Sequence, residues 1–242
     1  MTNHGNQTPK SISSIRVERT FLRFSNAQRW EHLITIIAIA LLLFTGLPQK
    51  FQDSNWSQWL ISTPEKLELL QQIHHLFALL LTAEVLYHLG RGIYWIATRR
   101  LQGDIFPTWR DVQDAFHMIK YLLFLTKAKP KFGKYNFEQK ITYWFVFFSV
   151  AIMVISGIIL WFPIQITKVF PGGVIPAAFL AHSNEAIAFG IFIVIWHFYH
   201  VHFQRLNLSM FTGSLSEKEM CEHHVEEYER LIEQDDLSPD NQ

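Results

Sequence analysis

The stretch Ala181–His202, AHSNEAIAFGIFIVIWHFYHVH, decides the fold. Between His182 and His202 it has no proline and a single glycine, Gly190, and its apolar run is long enough for a helix that crosses a bilayer. It carries four histidines, at positions 182, 197, 200 and 202. His182 and His197 are 15 residues apart, which on an α-helix is about 22 Å of rise and four turns plus about 60°. The two therefore lie on roughly one face, near opposite ends of one helix. Histidine is rare inside apolar spans, and where it occurs it tends to face a bundle interior and serve a function.

The rest of the chain supplies helices for this one to pack against. Of its 242 residues only 17% are charged and 49% are hydrophobic, against about 25% charged in soluble domains, so a membrane is the expected solvent. Four apolar segments read as spans, at 30–47, 69–98, 138–162 and 177–203. Gly46-Leu47-Pro48, Phe162-Pro163 and Pro171-Gly172-Gly173 punctuate them. The reading is an all-α integral membrane protein, a four-transmembrane-helix bundle that forms a single membrane domain over 1–242.

Lys and Arg locate the two sides. The tail 1–29 has five, the 99–137 connection eight and the tail 204–242 three, whereas the connections 48–68 and 163–176 hold only Lys50, Lys66 and Lys168. The positive-inside rule places both termini and the 99–137 loop in the cytoplasm and the other two loops in the periplasm. Tryptophans 30, 56, 59, 95, 144 and 161 fall near span ends, as an aromatic belt does. In the cytoplasmic loop Val112, Phe116, Ile119 and Leu123 recur at helical spacing, which predicts an amphipathic helix at the membrane surface. The segment from Ser214 to Asp236 reads as a charged, solvated cytoplasmic helix, with His223 and His224 as surface histidines.

Several chemistries are excluded. Lys+Arg and Asp+Glu balance at 21 each, so no global field recruits nucleic acid. Cys221 is the one cysteine, which rules out an internal disulfide, a multi-thiolate metal site and covalent c-type haem attachment. Phosphate loops and nucleophile elbows do not occur, so no catalytic residue is assigned. A metal centre here rests on histidine.

Depth pairs the histidines. In the second span His74 starts at the outer surface and His88 follows 14 residues later, about 21 Å deeper. His32 lies near the inner end of the first span, and the fourth span places His182 outside and His197 inside. The heights allow one outer pair, His74 with His182, and an inner pair of His197 with His32 or His88. Bis-imidazole ligation of two haems, one above the other, suits electron transfer across a bilayer. Glu84, one turn before His88, either orients that ring or bonds another buried group. Glu185, one turn after His182, is a rim residue.

The residues GKYNFEQK (Gly133–Lys140), SGIILWFP (Ser156–Pro163), RWEHL at the first span, IHHLF at the second and the His182–Phe203 stretch resemble the cytochrome b (gamma) subunit of respiratory formate dehydrogenases and related di-haem membrane subunits. The resemblance implies two haem b groups, with ligands His74 and His182 outside and His32 and His197 inside; it thus prefers His32 over His88. It implies a site for menaquinone or ubiquinone near Asn136 and Gln139, with Lys140 at the interface. Amides hydrogen-bond a quinone carbonyl without adding charge, although Asn136 also reads as a helix cap. It further implies a periplasmic redox partner, an iron–sulfur protein or a multihaem cytochrome c, and the bacterial inner membrane with its lipid as the setting. The chain departs from that pattern by one extra residue between the two histidines of the fourth span, and by His75, His88, His200 and His202. His200, 18 residues after His182, returns to the same face and is an alternative ligand. Rival readings are a self-sufficient cytochrome b561-type transmembrane reductase and a haem-free anchor or transporter.

Overall fold

A computed structural model describes residues 19–99, 103–203 and 208–236. Residues 1–18, 100–102, 204–207 and 237–242 and the side chain of His202 lie outside the described residues. Four helices are long and apolar enough to cross a membrane: α1 (Asn26–Lys50), α3 (Pro64–Ala97), α5 (Phe137–Trp161) and the Val174–Val201 segment, which begins as α7 (Val174–Phe192). A spanning segment must bond its backbone internally, and a helix does so. Short helices α2 (Asn55–Leu60) and α6 (Pro163–Ile166) occupy one end of the bundle. At the other end lie α4 (Trp109–Leu122), α8 (Ser209–Thr212), α9 (Glu217–His223) and α10 (Val225–Asp236).

Each span starts where the sequence caps it. Ser25 and Gln28 form a capping box on α1, Thr63 and Pro64 open α3, and Asn136 with Gln139 form a second box on α5. α1 packs chiefly on α3 and α5 on α7, with α1 against α7 joining the two pairs. The centre of the bundle is a cluster of Ala38, Leu81, Val150 and Phe189, ringed by Ile39, Leu42, Phe77, Val85, Phe145, Val146, Val154 and Ile193. Apolar side chains as large as Phe44, Leu76, Leu86, Phe148, Ile155 and Ile191 point outward, an arrangement that only a hydrocarbon solvent makes favourable.

Beyond Phe192 the fourth span widens into two π-helical turns, Ile193–His197 and Tyr199–Phe203. A π-turn accommodates an extra residue without the 100° rotation that an inserted residue otherwise imposes on everything after it. It falls within the interval where this chain has one residue more than the gamma-subunit pattern.

The segment before the first span meets the segment after the fourth. β1 (Thr20–Leu22) pairs antiparallel with β2 (Ser214–Ser216), Phe21 opposite Leu215. Gly213, at φ +87°, makes the turn into β2, where an L side chain is strained. The tail expected to be a solvated helix is instead a small packed cap. Leu215, Met220 and His224 are buried, and the His224 ring bonds the Gly133 carbonyl at 2.9 Å, so it is not a surface histidine. Arg110 pairs with Glu226, and Lys131 with Glu229 at 3.0 Å, which ties α10 to the 99–137 connection.

Candidate haem and quinone site

α3 and α7 bring His74 to His182, and α1 and the fourth span bring His32 to His197. The ring centroids are 6.3 Å apart in both pairs, tilted 66° in the first and 51° in the second. Two imidazoles on opposite sides of one metal ion, each bonded at about 2 Å, have ring centres about 6 Å apart. Both pairs can therefore hold one metal ion between them.

The hydrogen bonds around the first pair fix its tautomers. Thr45 donates its hydroxyl proton to the Leu41 carbonyl (2.7 Å), so toward His74 Nδ1 (2.9 Å) it can only accept. On the opposite side Ser156 donates to the Ile152 carbonyl (2.6 Å) and accepts from His182 Nδ1 (3.0 Å), which also lies 3.1 Å from the Met153 carbonyl. Both rings thus carry their proton on Nδ1 and turn an unprotonated Nε2 away from these bonds, the state a metal requires of histidine.

Each hydroxyl is followed by a glycine. A Cβ at Gly46 would sit 3.1 Å from His74 Cε1, and one at Gly157 3.3 Å from His182 Cε1. The Thr45-Gly46 and Ser156-Gly157 pairs are matching cradles, a hydroxyl that orients the ring and a missing side chain that admits it. Sequence reasoning missed both; the signal was a hydroxyl-glycine dipeptide at histidine depth on a neighbouring helix. Lys50 closes this end, its ammonium bonded to Ser183 Oγ (2.9 Å) and Asn184 Oδ1 (2.8 Å) beside His182.

His88, His200 and His75 are engaged elsewhere. His88 Nδ1 lies 3.1 Å from Glu31 Oε2 and its Nε2 3.1 Å from the Tyr143 hydroxyl, so both ring nitrogens have partners other than a second imidazole. His200 bonds the Trp196 carbonyl (2.7 Å) and lies tilted against that indole, and His75 stacks on Trp161 with centroids 4.2 Å apart. The carboxylate that holds His88 is Glu31 of α1, not Glu84 of its own helix.

At the N-terminus of α5, buried Asn136 accepts from the Gln139 backbone N–H (2.8 Å), and Gln139 Oε1 accepts from the Asn136 N–H (3.2 Å). The capping box uses the two amide oxygens and leaves the side-chain NH2 groups as donors. Arg23 reaches Gln139 Oε1 at 3.5 Å and lies over the Tyr135 ring. Lys140, 9% exposed, pairs with Asp111 of α4 at 2.8 Å. Burial raises the Asp111 carboxyl, but bonds from Lys140 and Thr108 outweigh it and hold the group below the usual carboxylate range.

Residues 23–213 match the family described as prokaryotic cytochrome b561. Among curated proteins the chain is 27% identical over 180 residues to the formate dehydrogenase cytochrome b556(fdo) subunit of Escherichia coli K12, covering 74% of this chain and 78% of that one. It is 21% identical over 201 residues to the nitrate-inducible formate dehydrogenase cytochrome b556(Fdn) subunit of the same organism (83% and 86%), and 26% identical over 165 residues to the formate dehydrogenase cytochrome b556 subunit of Haemophilus influenzae (68% and 64%).

Proposed function

The chain belongs to the prokaryotic cytochrome b561 family, and from that premise we propose that it is the di-haem b membrane subunit of a respiratory complex, carrying electrons between a periplasmic redox partner and a quinone. The observation that carries this reading is the pair of histidine couples, each with ring centres 6.3 Å apart. They stand at two levels on one bundle, separated by the apolar cluster around Ala38 and Phe189.

His74 and His182 would hold the outer haem, His32 and His197 the inner. Haem supplies one-electron chemistry at a potential set by its axial ligands and their hydrogen bonds. Thr45 and Ser156 keep the outer rings in the tautomer that presents Nε2. The apolar cluster excludes water between the levels. With Lys and Arg concentrated at the end that bears the termini, that end faces the cytoplasm of a bacterial inner membrane. The amide donors of Asn136 and Gln139 would bind the carbonyl of menaquinone or ubiquinone there, and Lys140, neutralised by Asp111, would border the site without adding net charge.

The formate dehydrogenase names of the relatives support a dehydrogenase complex as the setting, and within it our first candidate for the periplasmic partner is an iron–sulfur protein. The additional histidines keep a multihaem cytochrome c as the second candidate.

Pyridine haemochrome analysis of the purified chain tests the reading. Two protohaems per chain are expected, falling to one in His74→Ala and in His32→Ala and staying at two in His88→Phe. A chain that contains no protohaem overturns it.

A further inference from the structure

Helix α4 carries an apolar face that the fold leaves open. Trp109, Val112, Phe116, Ile119 and Leu123 fall within about 80° of arc on an α-helix, and each is exposed, from 40% at Val112 to 74% at Trp109. The rotation of the helix is fixed from its other side. Asp111 pairs with Lys140 at 2.8 Å and Arg110 with Glu226, so a polar edge is held against α5 and α10 while the stripe turns away from both. The height of α4 is fixed as well. Just before it, the Ile105 carbonyl accepts the Trp144 indole N–H (3.1 Å), and Phe106 lies against the same indole with centroids 5.7 Å apart. Lys140 and Trp144 both stand near the start of α5. α4 therefore lies where hydrocarbon gives way to headgroups, the level at which tryptophan gathers.

The C-terminal end of α4 is strained outward. Phe124 N–H bonds the Tyr121 carbonyl (3.0 Å) and Leu125 N–H the Lys120 carbonyl (2.8 Å), the pattern of a helix closed by a left-handed residue. That residue is Phe124, at φ +58°. Glycine suits such a position, and a bulky side chain is a rare and costly occupant. Water gives the ring nothing in return: it is 94% exposed, beside exposed Leu122, Leu123 and Leu125. In acyl chains the same cluster is in its preferred solvent.

Charge selects the lipid. From Ala115 to Phe137 the chain has five lysines and no carboxylate. Lys131 is paired with Glu229, and Lys134 lies over the Tyr135 ring. Exposed Lys120 on the edge of the stripe, and exposed Lys127 and Lys129 just past Phe124, are left to meet headgroups. A basic rim around an aromatic and aliphatic wedge matches an anionic leaflet, where each ammonium near the surface strengthens binding about fivefold.

We propose that α4 and the lysines after it form a binding surface for anionic phospholipid. The stripe from Trp109 to Leu123 and the Phe124 ring enter the acyl region, and Lys120, Lys127 and Lys129 hold phosphate headgroups around them. Bound lipid then braces the start of α5 through the Asp111–Lys140 pair. Nothing in this assignment depends on the haems.

The test uses the purified chain in nanodiscs of equimolar phosphatidylcholine and phosphatidylglycerol, with haem content measured on the same preparation. Cys221, the one cysteine, is replaced by serine, and a nitroxide is attached in turn through Phe124→Cys, Ile119→Cys and Phe148→Cys, the last a mid-span, lipid-facing reference. At all three positions collisions with oxygen, which concentrates in acyl chains, should exceed those with a water-soluble nickel chelate. A label at 119 or 124 that nickel reaches freely, or that a protein partner or a second copy shields from both reagents, overturns the proposal. Headgroup preference is read from the motionally restricted fraction of spin-labelled phosphatidylglycerol against spin-labelled phosphatidylcholine. The native chain should prefer phosphatidylglycerol, and Lys120→Gln, Lys127→Gln and Lys129→Gln should each lower that preference by up to about fivefold. Equal preference in the native chain and the triple variant overturns it, whereas a chain without protohaem sinks the haem reading and leaves this one standing.

Discussion

Gly46→Ala is the sharpest test of the outer cradle, because one methyl group is set against one ring. The added Cβ would lie 3.1 Å from His74 Cε1 and 3.6 Å from Nδ1, so the imidazole must retreat by a few tenths of an ångström. It cannot retreat freely. Its Nδ1 is bonded to Thr45, the residue next to the substitution, and its Nε2 faces the proposed iron. Overpacking of this kind costs about 1–3 kcal/mol, and removing a helical glycine returns about 0.5–1 kcal/mol. The net is about 1–2 kcal/mol, or roughly a 5- to 30-fold loss in retention of the haem proposed between His74 and His182. Gly157→Ala, at 3.3 Å from His182 Cε1, should lose less. Gly190→Ala is the control: its Cβ would meet Leu43 at 3.6 Å, an ordinary contact, and the change should be neutral or slightly stabilising. The assay is the rate at which haem passes to excess scavenging apoglobin, with the low-spin signal of each haem resolved by electron paramagnetic resonance. If Gly46→Ala and Gly190→Ala release haem at the same rate, the cradle argument is wrong.

Three further outcomes follow from the same geometry. Thr45→Val and Ser156→Ala remove the bonds that fix the outer rings, and metal affinity should fall by about 10- to 100-fold, read as haem loss and a shifted outer midpoint while the inner haem is unchanged. Asn136→Ser keeps a good helix cap but deletes the amide donors; thermal stability should hold while the quinone KM rises up to about tenfold, the worth of one hydrogen bond, and an unchanged KM removes Asn136 from the quinone site. The Asp111 carboxyl is held below its ordinary value, so the α4–α5 pairing it supports is complete above about pH 4 and is lost as pH falls through the folded value. Lys140→Met should abolish that acid transition and weaken α4 docking by about 1–3 kcal/mol, both measured by amide hydrogen exchange across α4.

The parts of this molecule legible in its sequence are those that depend on one helix at a time. Hydropathy locates the spans, and the rise per residue sets the depth of each histidine, so the His74–His182 couple follows from arithmetic along each axis, while the partner of His197 is narrowed only to His32 or His88. Rotation between helices is a different matter. His88 is at a suitable depth for the inner level, but its ring meets Glu31 and Tyr143 because of how α1, α3 and α5 are turned, and no spacing within α3 contains that information. The Thr45 and Ser156 hydroxyls were hidden for the same reason: each sits on a helix other than that of the ring it orients. The packed cap was misread because α10 is polar by composition. Its few apolar contacts, and the burial of His224, depend on β1, which arrives from the far end of the chain.

The fourth span explains why the two levels are built differently. It contributes a histidine to each, so any change in its register is transmitted from one to the other. Its first half is a regular α-helix held by Ser156, Gly157 and Lys50, and the position of His182 is set there by groups on α1 and α5. Its second half opens into π-turns immediately past the Phe145–Phe192 contact, where the centroids are 4.0 Å apart. A widened turn re-aims His197 at His32 without disturbing the packing above it. The same region carries the Glu31–Arg91–His88 cluster, whose cost within a membrane is tolerated where it serves a function. The His74–His182 level is therefore the tighter part of the scaffold, shaped by Gly46 and Gly157, which cannot grow without moving a ring. At the His32–His197 level the widened turns of the fourth span leave more latitude.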